Sequence, residues 1–328
     1  MTSPKTMKAV AFDRYGPPER LALTNLPVPE PDVGEVRLLV HATTVNRTDT
    51  ATLRGHPFFA RLITGVFRPK MKTLGMDFAG TVDAVGRGVT NLQVGDRVFG
   101  LSPDQFGAHA EFMCLSADAA IAPIPQGLGF DESVVCEGAW YASSTINLLQ
   151  AGQCCLIFGA SGAIGIAAVQ LAKSRGLHVT AVVGSRHVEL ANRLGADRVL
   201  NFETEDFTAI GETFDLVLDA VGKTSWFRCR PLLKKAGIFA ATDLGPFWSN
   251  IILGAVFAMT GSRRVRIPFP VDAEGFVRDL AKLMEDGQFQ GIFDRSYALD
   301  EIVDAFRYVE QGQKTGIVAV SVRHDPEG

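Results

Sequence analysis

Residues 154–165 read CCLIFGASGAIG, and they restrict the possible folds of this chain more than any other stretch. Cys154–Phe158 is an apolar run long enough for a fully buried strand. Gly159, Gly162 and Gly165 follow at a spacing of three, and Ala163–Arg175 then carries helical periodicity. Glycines at such points let the backbone turn tightly and approach a ligand closely. Gly165, with small Ala163 and Ala167 beside it, lets the helix pack on the strand. The free N–H groups and positive dipole at the helix start suit a pyrophosphate. A phosphate cradle is therefore expected over Gly159, Ala160, Ser161, Gly162, Ala163, Ile164 and Gly165. Two plainer readings are an ordinary strand-to-helix turn and a site for another nucleoside ligand, such as a methyl donor.

The surrounding pattern supports the cradle. Val179–Val183, Arg198–Leu200, Leu216–Ala220 and Ile238–Ala241 are further short apolar runs, with a helical stretch from Val188 to Leu194 and others later. Strands alternating with helices predict an α/β fold, a doubly wound parallel sheet with helices on both faces. The first 120 residues differ. Strand-like runs at Ala9–Phe12, Val36–His41, Gly80–Val85 and Ala110–Leu115 are punctuated by Pro17, Pro18, Pro27, Pro29, Pro31, Gly86 and Gly88, as in a barrel or sandwich. After Ser262 the spacing predicts a helix over Val277–Met284, a strand over Phe293–Ala298, a helix capped by Asp300 and running to Val309, and a closing strand over Gly316–Val322. That last strand is expected to rejoin the first domain.

Cofactor choice is expected roughly 20 residues beyond the glycines, where a carboxylate would hold the ribose 2′-OH of NAD. The second strand instead ends at Gly184-Ser185-Arg186-His187. Ser185 can hydrogen-bond a 2′-phosphate and Arg186 can pair with one, which favours NADP(H) over NAD(H). The alternative is a solvated Arg186 at a helix start, beside Glu189.

Composition removes several classes. The 32 basic and 36 acidic residues leave a net charge of −4, with no basic block to neutralise a nucleic acid. Hydrophobic residues at 47% and charged residues at 21% exclude global disorder. The five cysteines are odd in number and include no C-x-x-C pair, so a disulfide framework or a Cys-rich zinc site is not expected. Such sparse usage fits a reducing, cytoplasmic setting. Lys8 interrupts what would be the apolar core of a signal peptide. Phe247–Met259, the longest apolar run, is shorter than the ~20 residues that cross a bilayer. It reads as a buried or interface helix, or else as a weak peripheral membrane contact.

Several stretches together carry a resemblance. They are MKAVAFDRYGPPERL near the start, Val45-Asn46-Arg47-Thr48-Asp49, GMDFAGTVDAVGRGVTNLQVGDRVFG at 75–100 and AHAEFM at 108–113. They continue with GASGAIGIAAVQLAK at 159–173, LGADRVLNF at 194–202, FDLVLDAVG at 214–222 and YVEQGQKTG at 308–316. The chain resembles, essentially end to end, a medium-chain dehydrogenase/reductase of the zinc-independent quinone-oxidoreductase-like branch. The resemblance implies a GroES-like, mainly β catalytic domain over residues 1–124 and 263–328. It also implies a Rossmann NADP(H)-binding domain over 125–262 and a cleft between the two. It further implies reduction of quinones or activated double bonds with NADPH, an apolar enone or quinone as substrate, and a homodimer.

Zinc is not expected. Asn46 stands where zinc-dependent cousins have a cysteine, and Met76-Asp77 where they have His-Glu; Asn and Met are poor zinc ligands. The four-cysteine lobe is missing too, since Cys114 is alone between Phe99 and Leu115. Without a metal to stabilise an alkoxide, hydride delivery to an enone, enoyl thioester or quinone is the easier chemistry.

By resemblance, Asn46 contacts the nicotinamide ribose or the substrate carbonyl; the plain reading is a turn-forming Asn. Asp49 orients Asn46 or caps a helix. Related enoyl reductases often carry a Tyr just after this segment, whereas Arg54-Gly55-His56-Pro57 has none, so His56 is either a substitute proton donor or a surface histidine. Tyr141 is a further proton-donor candidate, and Trp140 a pocket wall or core residue. Val221, Gly222, Thr242, Asp243 and Leu244 follow strand ends and are expected to edge the cofactor. Phe202 stands where relatives commonly have Tyr. Lys314 receives no role. The rival to a reductase is a non-enzymatic NADPH-binding sensor or scaffold on the same fold.

Overall fold

The computed structural model describes residues 6–245, 248–259 and 264–322. It divides into two compact units, Met1–Glu137 with Asp272–Gly328, and Gly138–Val271.

The unit Gly138–Val271 is built on a six-stranded parallel sheet. Across the sheet the strands run Arg198–Asn201, His178–Val183, Cys154–Phe158, Phe214–Asp219, Leu233–Ala241 and Val265–Arg266. Sequence order therefore reverses direction between Cys154–Phe158 and Phe214–Asp219, the switch point at which such sheets open a crevice beyond their strand ends. Val179, Ala181, Val182 and Val183 are all buried, as a strand covered on both faces requires. The core gathers Leu156, Phe158, Phe207, Val217, Leu232 and Phe239. Each such large side chain contributes about 1.5–3 kcal/mol by leaving water.

The unit formed by the two chain ends is mainly β. Its seven-stranded sheet runs Phe293–Ala298, Ile317–Ser321, Glu35–Val45, Asp77–Val85, Arg97–Leu101 and Ala120–Pro123, with Phe112–Ser116 also paired to Glu35–Val45. Thr6–Ala11 and Ala22–Pro27 form a separate antiparallel pair. The chain's last strand, Ile317–Ser321, pairs antiparallel with Glu35–Val45, bringing residues distant in sequence into one sheet.

Three details differ from the sequence reading. The units divide at Glu137/Gly138 and Val271/Asp272, later than 124/125 and 262/263. The reason is that Phe130–Ser133 packs on the strands Glu35–Val45 and Asp77–Val85, and the Glu137 N–H bonds Asp77. Asp300 is not the cap of the helix Ile302–Glu310. It lies within the 3-10 turn Leu299–Glu301, where Glu301 Oε2 takes the Ala298 N–H at 2.9 Å. The helix Ser249–Met259 is not a buried one: Ile252, Val256 and Met259 are exposed, while Leu253 and Phe257 pack on the core. Phe247, the start of that apolar run, lies outside the described residues. No described helix is long and apolar enough to cross a membrane.

Candidate functional site

The glycine turn forms as its residues dictate. Gly159 has φ +80°, a conformation that strains any other residue, and its N–H bonds Val182 O at 3.0 Å. Gly162 is the N-cap of the helix Ala163–Ser174 and has no side chain with which to cap it. The first-turn N–H groups of Ala163, Ile164 and Gly165 therefore have no intrahelical acceptor. A Cβ on Gly162 would make only ordinary contacts, with Gly159 O and a Val221 methyl both at 3.7 Å, so no backbone crowds the helix start there. Ala160 is buried, and Ser161 is half-buried on the turn. These features fit a dinucleotide pyrophosphate.

The neighbouring strand end is organised by Asp219, which is fully buried. Its Oδ1 accepts the N–H groups of Val221 at 3.1 Å and Gly222 at 2.8 Å, and its Oδ2 that of Thr224 at 2.7 Å. This fixes Gly222 at φ +69°, with Val221 40% exposed beside the glycine turn. Asp243 packs against Gly222, and the buried Asn250 amide bonds both its carbonyl at 3.1 Å and its Oδ1 at 3.2 Å. Leu244 O accepts the Asn250 N–H. Val221, Gly222, Asp243 and Leu244 are thus brought to one edge of the sheet. The local roles of Asp219 and Asn250 were not legible in sequence, because their partners are mostly backbone groups.

One correction concerns the second strand. No carboxylate stands at its end in sequence, yet Glu203 reaches it from the third. Asn201 pairs in register with Val183, which places Glu203 opposite Ser185. The Ser185 hydroxyl donates to Glu203 Oε2 at 2.5 Å, and Asn201 Nδ2 donates to Ser185 Oγ at 2.9 Å. The serine's hydrogen bonds, with Arg186 and His187 close by, hold the Glu203 carboxyl below its usual range. Parallel pairing of adjacent strands was the signal that could have revealed it. Phe202 is half exposed and lies 6.1 Å from the Phe158 ring.

In the other unit, Asn46 is the N-cap of the helix Arg47–Arg54. Its Oδ1 takes the Asp49 N–H at 3.0 Å, and Asp49 Oδ2 takes the Asn46 N–H at 3.0 Å, a reciprocal capping box. The buried Asn46 Nδ2 has no partner in the protein. Asp49 also accepts the Gly75 N–H at 3.0 Å, and burial pushes its carboxyl up to about 7. Asp77 is a structural carboxylate here: it accepts from the Thr44 hydroxyl at 3.0 Å and the Glu137 N–H at 2.8 Å. Burial, then the nearby Glu137, push it well up. Glu137 is raised by burial and accepts the Thr48 hydroxyl at 2.6 Å. Lys314 Nζ bonds Gly316 O, and burial lowers its pKa. Met76 is fully buried in the core. Among the described residues, no group of three or more His, Cys, Asp or Glu side chains is placed to hold a metal ion.

The remaining candidates separate. His56 is exposed beyond the far end of the helix that Asn46 caps. Eight helical residues span about 12 Å, so the structure does not bring His56 to Asn46. Tyr141 is half-buried on the helix Cys136–Ile146, edge-on to Trp140 at 6.1 Å. Trp140 is a buried residue whose indole N–H donates to Val271 O at 3.3 Å.

Two protein families match the chain. The alcohol dehydrogenase GroES-like domain matches residues 32–141, and a family described as zinc-binding dehydrogenase matches residues 194–320. The chain is 32% identical to the quinone oxidoreductase of Sus scrofa over 266 residues, covering 76% of this chain and 77% of that protein. It is 29% identical to the chloroplastic quinone-oxidoreductase QR1 of Triphysaria versicolor over 333 residues, covering 96% and 98%. The structure of the quinone oxidoreductase from Coxiella burnetii superposes with a TM-score of 0.85 at 29% identity, covering 97% of this chain and all of that one.

Proposed function

The chain belongs to the medium-chain dehydrogenase/reductase superfamily, in its quinone oxidoreductase-like branch, and from that premise we propose an NADPH-dependent, zinc-independent reductase of small apolar acceptors. The acceptor is a quinone or the activated C=C bond of an α,β-unsaturated carbonyl. The observation that carries the reading is the uncapped helix start at Gly162, flanked by Gly159 at positive φ.

When bound, a reduced nicotinamide supplies the hydride. The rest is done by the chain. The first-turn N–H groups of Ala163, Ile164 and Gly165 would hold the pyrophosphate, and Val221, Gly222, Asp243 and Leu244 would border the cofactor. Ser185 and Arg186 take the 2′-phosphate. The free Nδ2 of Asn46 is the one donor its capping role leaves over. It serves the ribose or the acceptor's carbonyl oxygen, where negative charge develops. Tyr141 or water supplies the proton. His56 is set aside, being exposed a helix length from Asn46.

Zinc independence rests on the ligand positions themselves: Asn46 caps a helix, Met76 fills the core, and Asp77 spends its oxygens on Thr44 and Glu137. A homodimer is proposed on family grounds, and a cytoplasmic location on cysteine usage.

The test is loss of reduced-nicotinamide absorbance across quinones, alkyl enones, enoyl thioesters and aldehydes, with NADPH and NADH compared. Selective turnover of quinones or enones is the expected result. Tight NADPH binding with no turnover of any acceptor would replace the reductase with a sensor or scaffold.

A further inference from the structure

The strand end that reads NADP(H) in sequence carries an anion of its own in the structure. Glu203 crosses from the third strand to accept the Ser185 hydroxyl at 2.5 Å, and Asn201 Nδ2 holds the same hydroxyl oxygen at 2.9 Å. The carboxylate lies so close to the second strand that a Cβ on Gly184 would meet Glu203 Oε1 at 2.7 Å. The Arg186 guanidinium, and His187 beside it, help to hold the Glu203 carboxyl below its usual range. Ser185 and Arg186 are also the groups assigned above to a ribose 2′-phosphate, at the position where a Rossmann unit distinguishes its two nicotinamide cofactors. Glu203 and that phosphate therefore compete for the same hydroxyl and the same positive charge.

We propose that Glu203 is a specificity-determining residue of the nucleotide site. Its carboxylate fills the 2′-phosphate position of the free protein and restrains the preference for NADPH over NADH. The inference rests on the nicotinamide-cofactor reading above. The physical reason is direct. NADPH must displace Glu203 from Ser185 and then keep a dianionic phosphate near its charge. NADH brings only a ribose diol, to which a carboxylate is a good acceptor. Glu203 is a side chain at the mouth of the site, so its effect is screened by salt rather than locked in by burial.

The neighbouring Glu205 provides the control. It carries the same charge two residues away, but its Oε1 accepts the Asn201 N–H at 3.0 Å rather than Ser185. The experiment is direct binding of NADPH, NADH, 2′,5′-ADP and ADP by calorimetry to the full chain, its Glu203→Gln variant and its Glu205→Gln variant. Glu203→Gln is expected to tighten NADPH and 2′,5′-ADP about five- to tenfold at low salt, with NADH and ADP unchanged or weaker. The gain should shrink as ionic strength rises. Glu205→Gln should move the ratio of the two cofactors less than twofold. An unchanged ratio in Glu203→Gln, or an equal change in Glu205→Gln, would overturn the proposal. Because the readout is binding, its failure is distinct from failure to find an acceptor. A wild-type chain that binds none of the four nucleotides would overturn both this proposal and the cofactor reading beneath it.

Discussion

A Cβ placed on Gly165 would stand 2.2 Å from the carbonyl oxygen of Gly159 and 2.7 Å from Cα of Ala160. Helix and turn touch there through backbone alone, and nothing flexible can yield. The same atom on Gly162 makes only ordinary contacts, with Gly159 O and Val221 Cγ1 both at 3.7 Å. The two glycines of one motif therefore serve different ends, one packing and the other ligand access. Gly165→Ala is expected to lower stability by about 1–3 kcal/mol, the usual cost of overpacking. Gly162→Val, at an N-cap where Val is poorer than Gly, should cost no more than about 1 kcal/mol while abolishing nucleotide binding. Thermal denaturation beside a binding titration checks both. Equal destabilisation by the two variants would contradict the assignment.

Arg186 tests cofactor choice from the side opposite to Glu203. If its guanidinium meets the 2′-phosphate, Arg186→Ala should weaken NADPH at least tenfold and NADH less than twofold, since a charge-assisted hydrogen bond of this kind contributes about 1.5–3 kcal/mol. Dissociation constants for both nucleotides settle the point, and a similar loss for each would place Arg186 outside the phosphate site.

Much of this was legible in the sequence, and the reason is periodicity. Cys154–Phe158 has the bounds its apolar run suggests and Phe293–Ala298 those of its strand-like stretch, and the glycine spacing located the turn. What stayed hidden depends on contacts between elements. Glu203 reaches Ser185 only because the third strand pairs beside the second. Asp49 was legible as a partner of Asn46 but not as the acceptor of Gly75, 26 residues away. His56 and Asn46 are near in sequence, yet a helix holds them apart.

The buried Asp49 gives stability a pH dependence with a definite sign. Its two oxygens accept the N–H groups of Asn46 and Gly75, and burial raises its pKa to about 7, against about 3.9 in an unfolded chain. Between those values the native state holds a proton that the unfolded state has released. The native protein binds more protons in that window, so the contribution of Asp49 to stability falls as pH rises from about 4 to about 7. Asp49→Asn does not titrate, and it turns an NH₂ toward one of the two N–H donors, a loss of about 1–3 kcal/mol. Its deficit relative to wild type should therefore be largest near pH 4 and smaller at pH 8. Denaturant unfolding at several pH values measures this, and a deficit that does not change between pH 4 and pH 8 would show that Asp49 is ionised throughout.

Metal content follows from the same segment. With Asn46 capping, Met76 in the core and Asp77 bonded to Thr44 and Glu137, the protein should contain well under one zinc per chain by elemental analysis. Prolonged chelation should leave turnover unchanged. A stoichiometric zinc, or activity lost to the chelator and restored by zinc, would require a ligand set that the described side chains do not form.

Asn46 divides its amide between two tasks, and a single substitution separates them. Oδ1 caps the helix Arg47–Arg54, and Nδ2 is the buried donor without a protein partner. Serine caps a helix as well as asparagine, through its hydroxyl oxygen, but places no amide donor there. Asn46→Ser should therefore keep the thermal midpoint close to wild type while reducing kcat by about a hundred- to a thousandfold, the range seen when a donor to a developing oxyanion is removed. Asn46→Ala should lose the cap as well, at about 1 kcal/mol. If Asn46→Ser retains full activity with intact folding, Asn46 is a capping residue only, and the donor for the acceptor's oxygen must be sought elsewhere.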